Sequence, residues 1–404
     1  MLLGRDALAT LKAVPGDKGK KGGFAMDDII SRMSAISADP SSYLRQWKEQ
    51  NKQKIIGIVP MHLPEEIVHA SGMLPVLLWE SNEPITVAHD HVQPFFCGFI
   101  RSLIDTTLKG NLDFLDGMVF SEDMCLAIRE MSFVVQKNAP LSFFKRLYLP
   151  ATLEDPPTRA YMIDEFNKFR RGLAEFAGHE VSDESIRQSI MTYNKNRELL
   201  RRLYQLRRTK PGLLPARQIA AIVMSSGLMP KEEHNKLLET LLPELEKKQP
   251  QPNNKVRLIL SGSLCQAPHV DILNLIEELG GVIVDDDLYI GKRYFTKDAE
   301  ADADPIESLV NRYLNMEPRC PTKVDSRHEW GDQLMDMLAK NQARGIISLH
   351  VKCCEPLLFY YPDLKLKLNA AGVSELMLEV EHEMISWEAI RTRVEAFLES
   401  IRRD

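Results

Sequence analysis

The hydrophobic period changes along the chain, and the changes divide it. A helical lead over Met26 to Gln53 precedes Ile55-Ile-Gly-Ile-Val59, a compact apolar run that reads as a buried strand. Pro64-Glu-Glu-Ile then opens a short helix, Gly72 stands where a left-handed residue would close it, and Leu74 to Leu78 resumes as a strand. These pieces make a βαβ unit, and Met118 to Phe120 reads as a further strand end. From Pro156 to about Lys248 the spacing shifts to three and four. Met162, Phe166, Phe169, Leu173 and Phe176 form one amphipathic stripe. Val181-Ser-Asp-Glu starts another helix, with Ser182 as its cap, Asp183 and Glu184 at its positive end, and Ile186, Ile190, Tyr193, Leu200 and Leu203 along its apolar face.

Lys248-Gln-Pro-Gln-Pro-Asn-Asn254 is a polar, proline-containing connector, after which the strand pattern returns. Strand Val256 to Leu260, a helix with Val270, Leu273, Ile276 and Leu279 inward, the terminator Gly280-Gly281 and strand Val282 to Val284 give a second βαβ unit. Strand Ile346 to His350, a helix from about Pro362 to Ala371 ended by Gly372, strand Leu376 to Val380 and a last helix Trp387 to Ile401 continue it. The pattern predicts an α/β chain of two Rossmann-like (flavodoxin-like) parallel-sheet domains with a helical connecting segment. The expected divisions are an N-terminal arm and helical lead over 1–53, a first α/β domain over 54–155, a helical segment over 156–250 and a second α/β domain over 251–404.

Composition narrows the function classes. The 404 residues carry 51 basic and 57 acidic side chains, a formal charge of −6. With no block of like charges, nothing in the balance calls for nucleic acid or a membrane surface. Met1 to Gly23 is net basic but lacks the apolar core of a secretory signal, and Ile219 to Met229 falls short of a membrane span. A cytoplasmic protein with protein or small-molecule partners is expected. Six cysteines in so long a chain are then reduced thiols, in the core or on a metal.

Open α/β sheets bind ligands beyond the carboxyl ends of their strands. Cys125, Cys265, Cys353 and Cys354 all follow strands closely, and Cys97 sits where a loop enters a helix, whose free N–H groups would stabilise a thiolate. The plainer reading of each is a buried core thiol. No CxxC spacing is present, so a metal site would have to be assembled from distant segments. Ser261-Gly-Ser263 could cradle a phosphate or merely turn, and Asp285-Asp-Asp287 could bind magnesium or solvate a loop. Neither a P-loop nor a GxGxxG fingerprint occurs. His62, Glu65 and Glu66, after the first strand, are candidates for proton transfer, against the plainer expectation of solvated first-turn residues.

Six segments in order resemble the 2-hydroxyacyl-CoA dehydratase and benzoyl-CoA reductase family. They are Leu63-Pro-Glu-Glu-Ile-Val-His-Ala-Ser-Gly-Met-Leu-Pro75, Phe96-Cys-Gly-Phe-Ile-Arg-Ser102, Cys125-Leu-Ala-Ile-Arg129, Gly280 to Phe295, Cys354-Glu-Pro356 and Arg391-Thr-Arg-Val-Glu-Ala-Phe-Leu-Glu399. The resemblance implies a [4Fe–4S] cluster held by Cys97, Cys125 and Cys354, with Cys353 as the alternative to Cys354. It implies a homologous cluster-binding subunit, a separate ATP-hydrolysing activator module, ferredoxin as ultimate electron donor and an aryl-CoA or acyl-CoA substrate. The cluster would pass single electrons of very low potential to the thioester, giving a ketyl-type radical anion that is protonated to a cyclic diene. In the dehydratase branch, the same radical expels a leaving group instead. Dehydratases commonly have Asp after the second cysteine; Leu126 here resembles the dearomatising reductases. A double-cubane reductase is a further member, and would also need Cys265 and Cys320.

Overall fold

The computed structural model describes residues 25–59, 62–122, 125–249, 254–262, 270–320, 323, 329–383 and 386–403. In chain order the elements are α1 (Met26–Ala38), α2 (Pro40–Asn51), β1 (Ile55–Ile58), α3 (Glu65–Ala70), β2 (Leu74–Leu77), α4 (Gly98–Leu108), β3 (Gly117–Glu122), α5 (Leu126–Asn138) and β4 (Phe143–Tyr148). Four helices follow: α6 (Thr158–Ala177), α7 (Asp183–Thr209), α8 (Ala216–Ser226) and α9 (Lys231–Lys247). The second half contains β5 (Val256–Gly262), α10 (Val270–Glu278), β6 (Gly281–Asp286), α11 (Pro305–Leu314), α12 (Trp330–Asn341), β7 (Gly345–Val351), α13 (Glu355–Ala370), β8 (Glu375–Val380) and α14 (Trp387–Arg403).

Both halves are α/β, and both build the same sheet. The strand orders are β2-β1-β3-β4 and β6-β5-β7-β8, and every pairing is parallel. Helices on both faces bury the central strands, which is why β1, and β5 apart from its half-buried Arg257, read as apolar runs rather than alternating ones. Gly117 opens β3 where a side chain is impossible, since a Cβ there would lie 2.6 Å from the Phe143 carbonyl oxygen of the neighbouring strand. Gly72, Gly280 and Gly372 all have the positive φ expected of helix terminators. Ser182 accepts the Ser185 N–H at 3.1 Å, capping α7.

Two boundaries are corrected. The expected lead over Met26 to Gln53 is two helices, because Asp39 and Pro40 end α1 and start α2. The helix expected from Pro362 begins at Glu355, directly after Cys354, and Pro362 lies inside it. Strand β4 and helix α5 add to the elements that the hydrophobic pattern predicts.

The core is continuous around the first sheet and extends through the helices between the sheets. Tyr289, Tyr294, Phe295, Leu309 and Tyr313, all after β6, pack into this first core. The second sheet has a separate cluster on each face. Helix α7, 27 residues and about 40 Å long, ties the halves together. Arg197 pairs with Glu66 beside the first sheet, and Arg207 reaches Asp286 at the end of β6 at 2.6 Å. No helix among the described residues is long and apolar enough to cross a membrane.

Candidate metal centre

Three cysteines occupy the same local position in three different βα turns or loop–helix junctions. Cys97 precedes α4, Cys125 precedes α5 just beyond β3, and Cys354 precedes α13 just beyond β7. Each is the residue before the first turn, where unpaired backbone N–H groups and the positive dipole end favour negative charge on sulfur. The turns bring the thiols near one another. Burial pushes the Cys97 thiol well up, the charges of Cys125 and Cys354 push it further, and the Ile100 N–H opposes them. A thiolate at Cys97 would be repelled by thiolates at Cys125 and Cys354 unless positive charge lay among them, so this donor set suits a cationic metal centre.

Among the described residues, no three His, Cys, Asp or Glu side chains converge on the position of a single ion. That differs from the demand of a cubane, whose three protein-ligated irons lie at separate corners. Cys353 faces elsewhere in the electrostatic sense. It adopts a left-handed φ of 64°, burial pushes its thiol up, and the charges acting on it are Glu381, Lys352, Arg101 and Glu379. Cys320 is buried in the first core, and Cys265 lies outside the described residues.

The two halves meet beside Cys97. Arg101 on α4 donates to Glu381 at 2.6 Å, and His382 pairs with Glu80 while its Nε2 approaches the Glu83 carbonyl at 2.8 Å. Burial disfavours the His382 imidazolium, but the Glu80 carboxylate and Glu83 carbonyl outweigh it and raise the pKa. Gly98, immediately after Cys97, allows this approach: a Cβ there would lie 2.8 Å from the His382 Cβ.

The residues after β1 are buried rather than solvated, which corrects the plainer expectation for Glu65 and Glu66. Glu66 is ion-paired to Arg197; burial pushes its carboxyl up, but Arg197 and Arg312 override it and hold it below the usual range. Burial raises Glu65, with the Lys231 ammonium pulling the other way. Tyr294 Oη donates to Glu65 at 2.9 Å and accepts from Lys231 Nζ at 2.5 Å, forming a buried chain. Desolvation lowers Lys231 to about 8. His62 is buried with φ 66°, its backbone N–H bonded to Tyr289 Oη at 3.1 Å. Lys231, Tyr294 and Arg197 escape a sequence reading because each contributes only through partners far along the chain.

The acidic run Asp285-Asp-Asp287 is neither a solvated loop nor an open magnesium site. Asp285 takes Lys292 at 2.6 Å and Asn341 at 3.0 Å, Asp286 takes Tyr204 at 2.7 Å and Arg207 at 2.6 Å, and Asp287 takes Arg293 at 2.9 Å and Trp330 Nε1 at 2.7 Å. All three are buried and neutralised by protein donors. The supposed phosphate cradle is also occupied internally: Gly262 N–H donates to Asp287 at 3.1 Å, and Ser261 Oγ bonds the same carboxylate at 3.2 Å. Ser263 lies outside the described residues.

Comparison with known proteins agrees with this architecture. The family model described as 2-hydroxyglutaryl-CoA dehydratase, D-component, matches residues 60–401. A benzoyl-CoA reductase subunit of Thauera aromatica is 30% identical over 380 residues, covering 93% of this chain and 98% of that protein. The (R)-phenyllactyl-CoA dehydratase beta subunit of Clostridium sporogenes is 27% identical over 380 residues, 93% of this chain and 99% of that protein. The (R)-2-hydroxyglutaryl-CoA dehydratase beta subunit of Acidaminococcus fermentans is 27% identical over 391 residues, 94% of this chain and all of that protein (100%). Aligned almost end to end with these subunits and matched from residue 60 to residue 401, the chain belongs to the 2-hydroxyglutaryl-CoA dehydratase D-component family.

Proposed function

We propose that this chain is the iron–sulfur subunit of an ATP-dependent aryl-CoA reductase of the benzoyl-CoA reductase type, with Cys97, Cys125 and Cys354 as its cluster ligands. The carrying observation is that three cysteines from distant segments each stand immediately before a helix and that Cys125 and Cys354 both act on the Cys97 thiol, whereas the charges acting on Cys353 are Glu381, Lys352, Arg101 and Glu379. Cys97, Cys125 and Cys354 would hold a [4Fe–4S] cluster, which would supply single electrons for reducing an aryl-CoA thioester to a cyclic dienoyl-CoA. The chain's own contribution is to fix three sulfurs on rigid helix starts and to close the two halves over them through Arg101–Glu381 and Glu80–His382. Glu65, Tyr294 and Lys231 form a buried hydrogen-bonded chain that could hold a proton.

Partners follow from the same reading. A homologous cluster-binding subunit, an ATP-hydrolysing activator and ferredoxin upstream of it would complete the system in the cytoplasm. Exposed apolar side chains flank the cysteines in sequence, Phe95 before Cys97, Leu126 after Cys125, and Leu358 with Phe359 after Cys354, which supports a partner seated at this face.

A 2-hydroxyacyl-CoA dehydratase subunit is the second reading, favoured by the two dehydratase relatives at nearly the same identity. Leu126, the first helical residue after Cys125, favours the reductase. Assaying the co-expressed, activated complex with benzoyl-CoA and with a 2-hydroxyacyl-CoA separates the two. Ring reduction is expected, and dehydration without ring reduction would sink the first reading.

A further inference from the structure

The cysteine set is split between the halves. Cys97 and Cys125 stand in the first, before α4 and α5, and Cys354 stands in the second, before α13. The shape of a centre held by all three therefore depends on what fixes one cysteine turn against another, and the short segment after β8 touches both sides. On the side of the second half, the Cys354 N–H donates to the Val351 carbonyl at 3.0 Å, Val351 is the register partner of Val380, and the Lys352 N–H donates to the Val380 carbonyl at 2.8 Å. The Cys354 turn is thus fixed to the end of β8, and Glu381 is the next residue. On the side of the first half, Arg101 holds the Cys97 turn twice. Its backbone N–H donates to the Cys97 carbonyl at 3.1 Å, and its side-chain Nε donates to the Phe96 carbonyl at 2.8 Å. The same guanidinium donates from Nη2 to Glu381 at 2.6 Å. His382 adds a second tie, pairing with Glu80 and bringing Nε2 within 2.8 Å of the Glu83 carbonyl. Its backbone lies against Gly98, where a Cβ would stand 2.8 Å from the His382 Cβ and 3.1 Å from the His382 nitrogen.

An ion pair between fully exposed side chains fixes little. Arg101 and Glu381 differ, their side chains being only 13% and 24% exposed. A planar guanidinium bonded to a carbonyl on one edge and a carboxylate on another is also directional, so it sets a position as well as a charge. Contacts of this outer kind orient metal ligands and govern how tightly a metal is retained. We propose that Arg101 and Glu381 are positioning residues for the metal centre, fixing Cys354 relative to Cys97 across the junction of the halves. His382, seated on Gly98, keeps the segment after β8 in place. This role rests on the cluster reading and adds to it, since the contacts then determine the geometry of the centre as well as enclosing it.

The test is the rate at which an iron chelator strips the anaerobically loaded complex, read with the reduced EPR spectrum and the chemical-denaturation midpoint. The chains compared are the native one, Arg101→Gln, Arg101→Lys, Glu381→Gln, the Arg101→Gln/Glu381→Gln double variant and Gly98→Ala. Arg101→Gln and Glu381→Gln should lose iron roughly tenfold to a hundredfold faster, with a shifted reduced signal before the loss. The double variant should be no faster than either single one, because both break the same link. Arg101→Lys keeps the charge but cannot serve the Phe96 carbonyl and Glu381 together, so it should lose iron nearly as fast. Gly98→Ala keeps every charge and drives a methyl group into the His382 segment; it should have the same effect, and it decides the matter if the charge variants do not fold. Iron release equal to that of the native chain in folded variants overturns the proposal. So does faster release that merely follows a lowered denaturation midpoint with the EPR signal unchanged. A native complex that loads no iron would remove the cluster reading itself, whereas native loading with unchanged variants removes only the role given to Arg101 and Glu381.

Discussion

Among single residues, Cys353 and Cys354 are adjacent in sequence but differ in surroundings. Cys354 stands immediately before α13 and acts on Cys97, whereas Cys353 has a left-handed φ and is acted on by Glu381, Lys352, Arg101 and Glu379. Replacing Cys97, Cys125 or Cys354 by Ser is expected to remove most of the iron and the activity, and Cys353→Ser to retain both; metal analysis of the four variants checks this. His234 offers a second check through pH. It is fully buried, bonded to Asn196 at 2.8 Å and to the Ile222 carbonyl at 3.0 Å, and desolvation lowers its pKa to about 3, with Lys231 adding. Because the folded pKa is below the unfolded value, the unfolded chain binds the extra proton between them, so stability falls as pH drops from about 6.5 toward 3. Urea midpoints across that range should fall less steeply in His234→Gln; equal slopes would remove His234 from the account. The places of Cys125 and Cys354 after strands and of Cys97 before a helix are legible in the sequence. The buried state of Glu65, Glu66 and Asp285 to Asp287 is not legible, because their neutralising partners Lys231, Arg197, Arg207 and Arg293 come from other segments or turns.

Elements show where periodicity succeeds and where it fails. The stripes of α6 and α7 are long enough for spacing to identify them, and their apolar faces are buried as the spacing predicts. Strand β4, Phe143-Phe-Lys-Arg-Leu-Tyr148, lies at a sheet edge, where Lys145 and Arg146 are tolerated and the apolar signal breaks down. The start of α13 is easily misplaced because Pro362 resembles a first-turn proline, although Pro356 holds that role. Close approach between elements also sets a prediction. A Cβ on Gly262, at φ 133°, would collide with the Leu349 carbonyl oxygen, so Gly262→Ala should force β5 from β7. A loss of at least about 1–3 kcal/mol is expected from overpacking plus backbone strain, measured by chemical denaturation.

For the whole molecule, two similar sheets are joined by a shared interior rather than a flexible hinge. The segment after β6 packs into the first core, and α7 carries buried ion pairs to both halves. Removing one partner of the buried Glu66–Arg197 pair leaves the other charge stranded, so Arg197→Met should destabilise the chain by about 3–5 kcal/mol, lowering the denaturation midpoint. The apolar residues beside the cysteines belong to a larger assembly in this account. Phe359 is 78% exposed, and Phe359→Glu should weaken association with the homologous subunit by about 2 kcal/mol or more, seen as dissociation on dilution while the isolated chain keeps its melting temperature.

The central claim is the cysteine-held cluster, and the most direct measurement is iron and acid-labile sulfide per chain in protein purified without oxygen, with the EPR spectrum after dithionite reduction. The account predicts about four irons and four sulfides per chain and a reduced-cubane signal. Intact, folded protein with near-zero iron after anaerobic expression with its partner would contradict it, leaving Cys97, Cys125 and Cys354 as structural thiols.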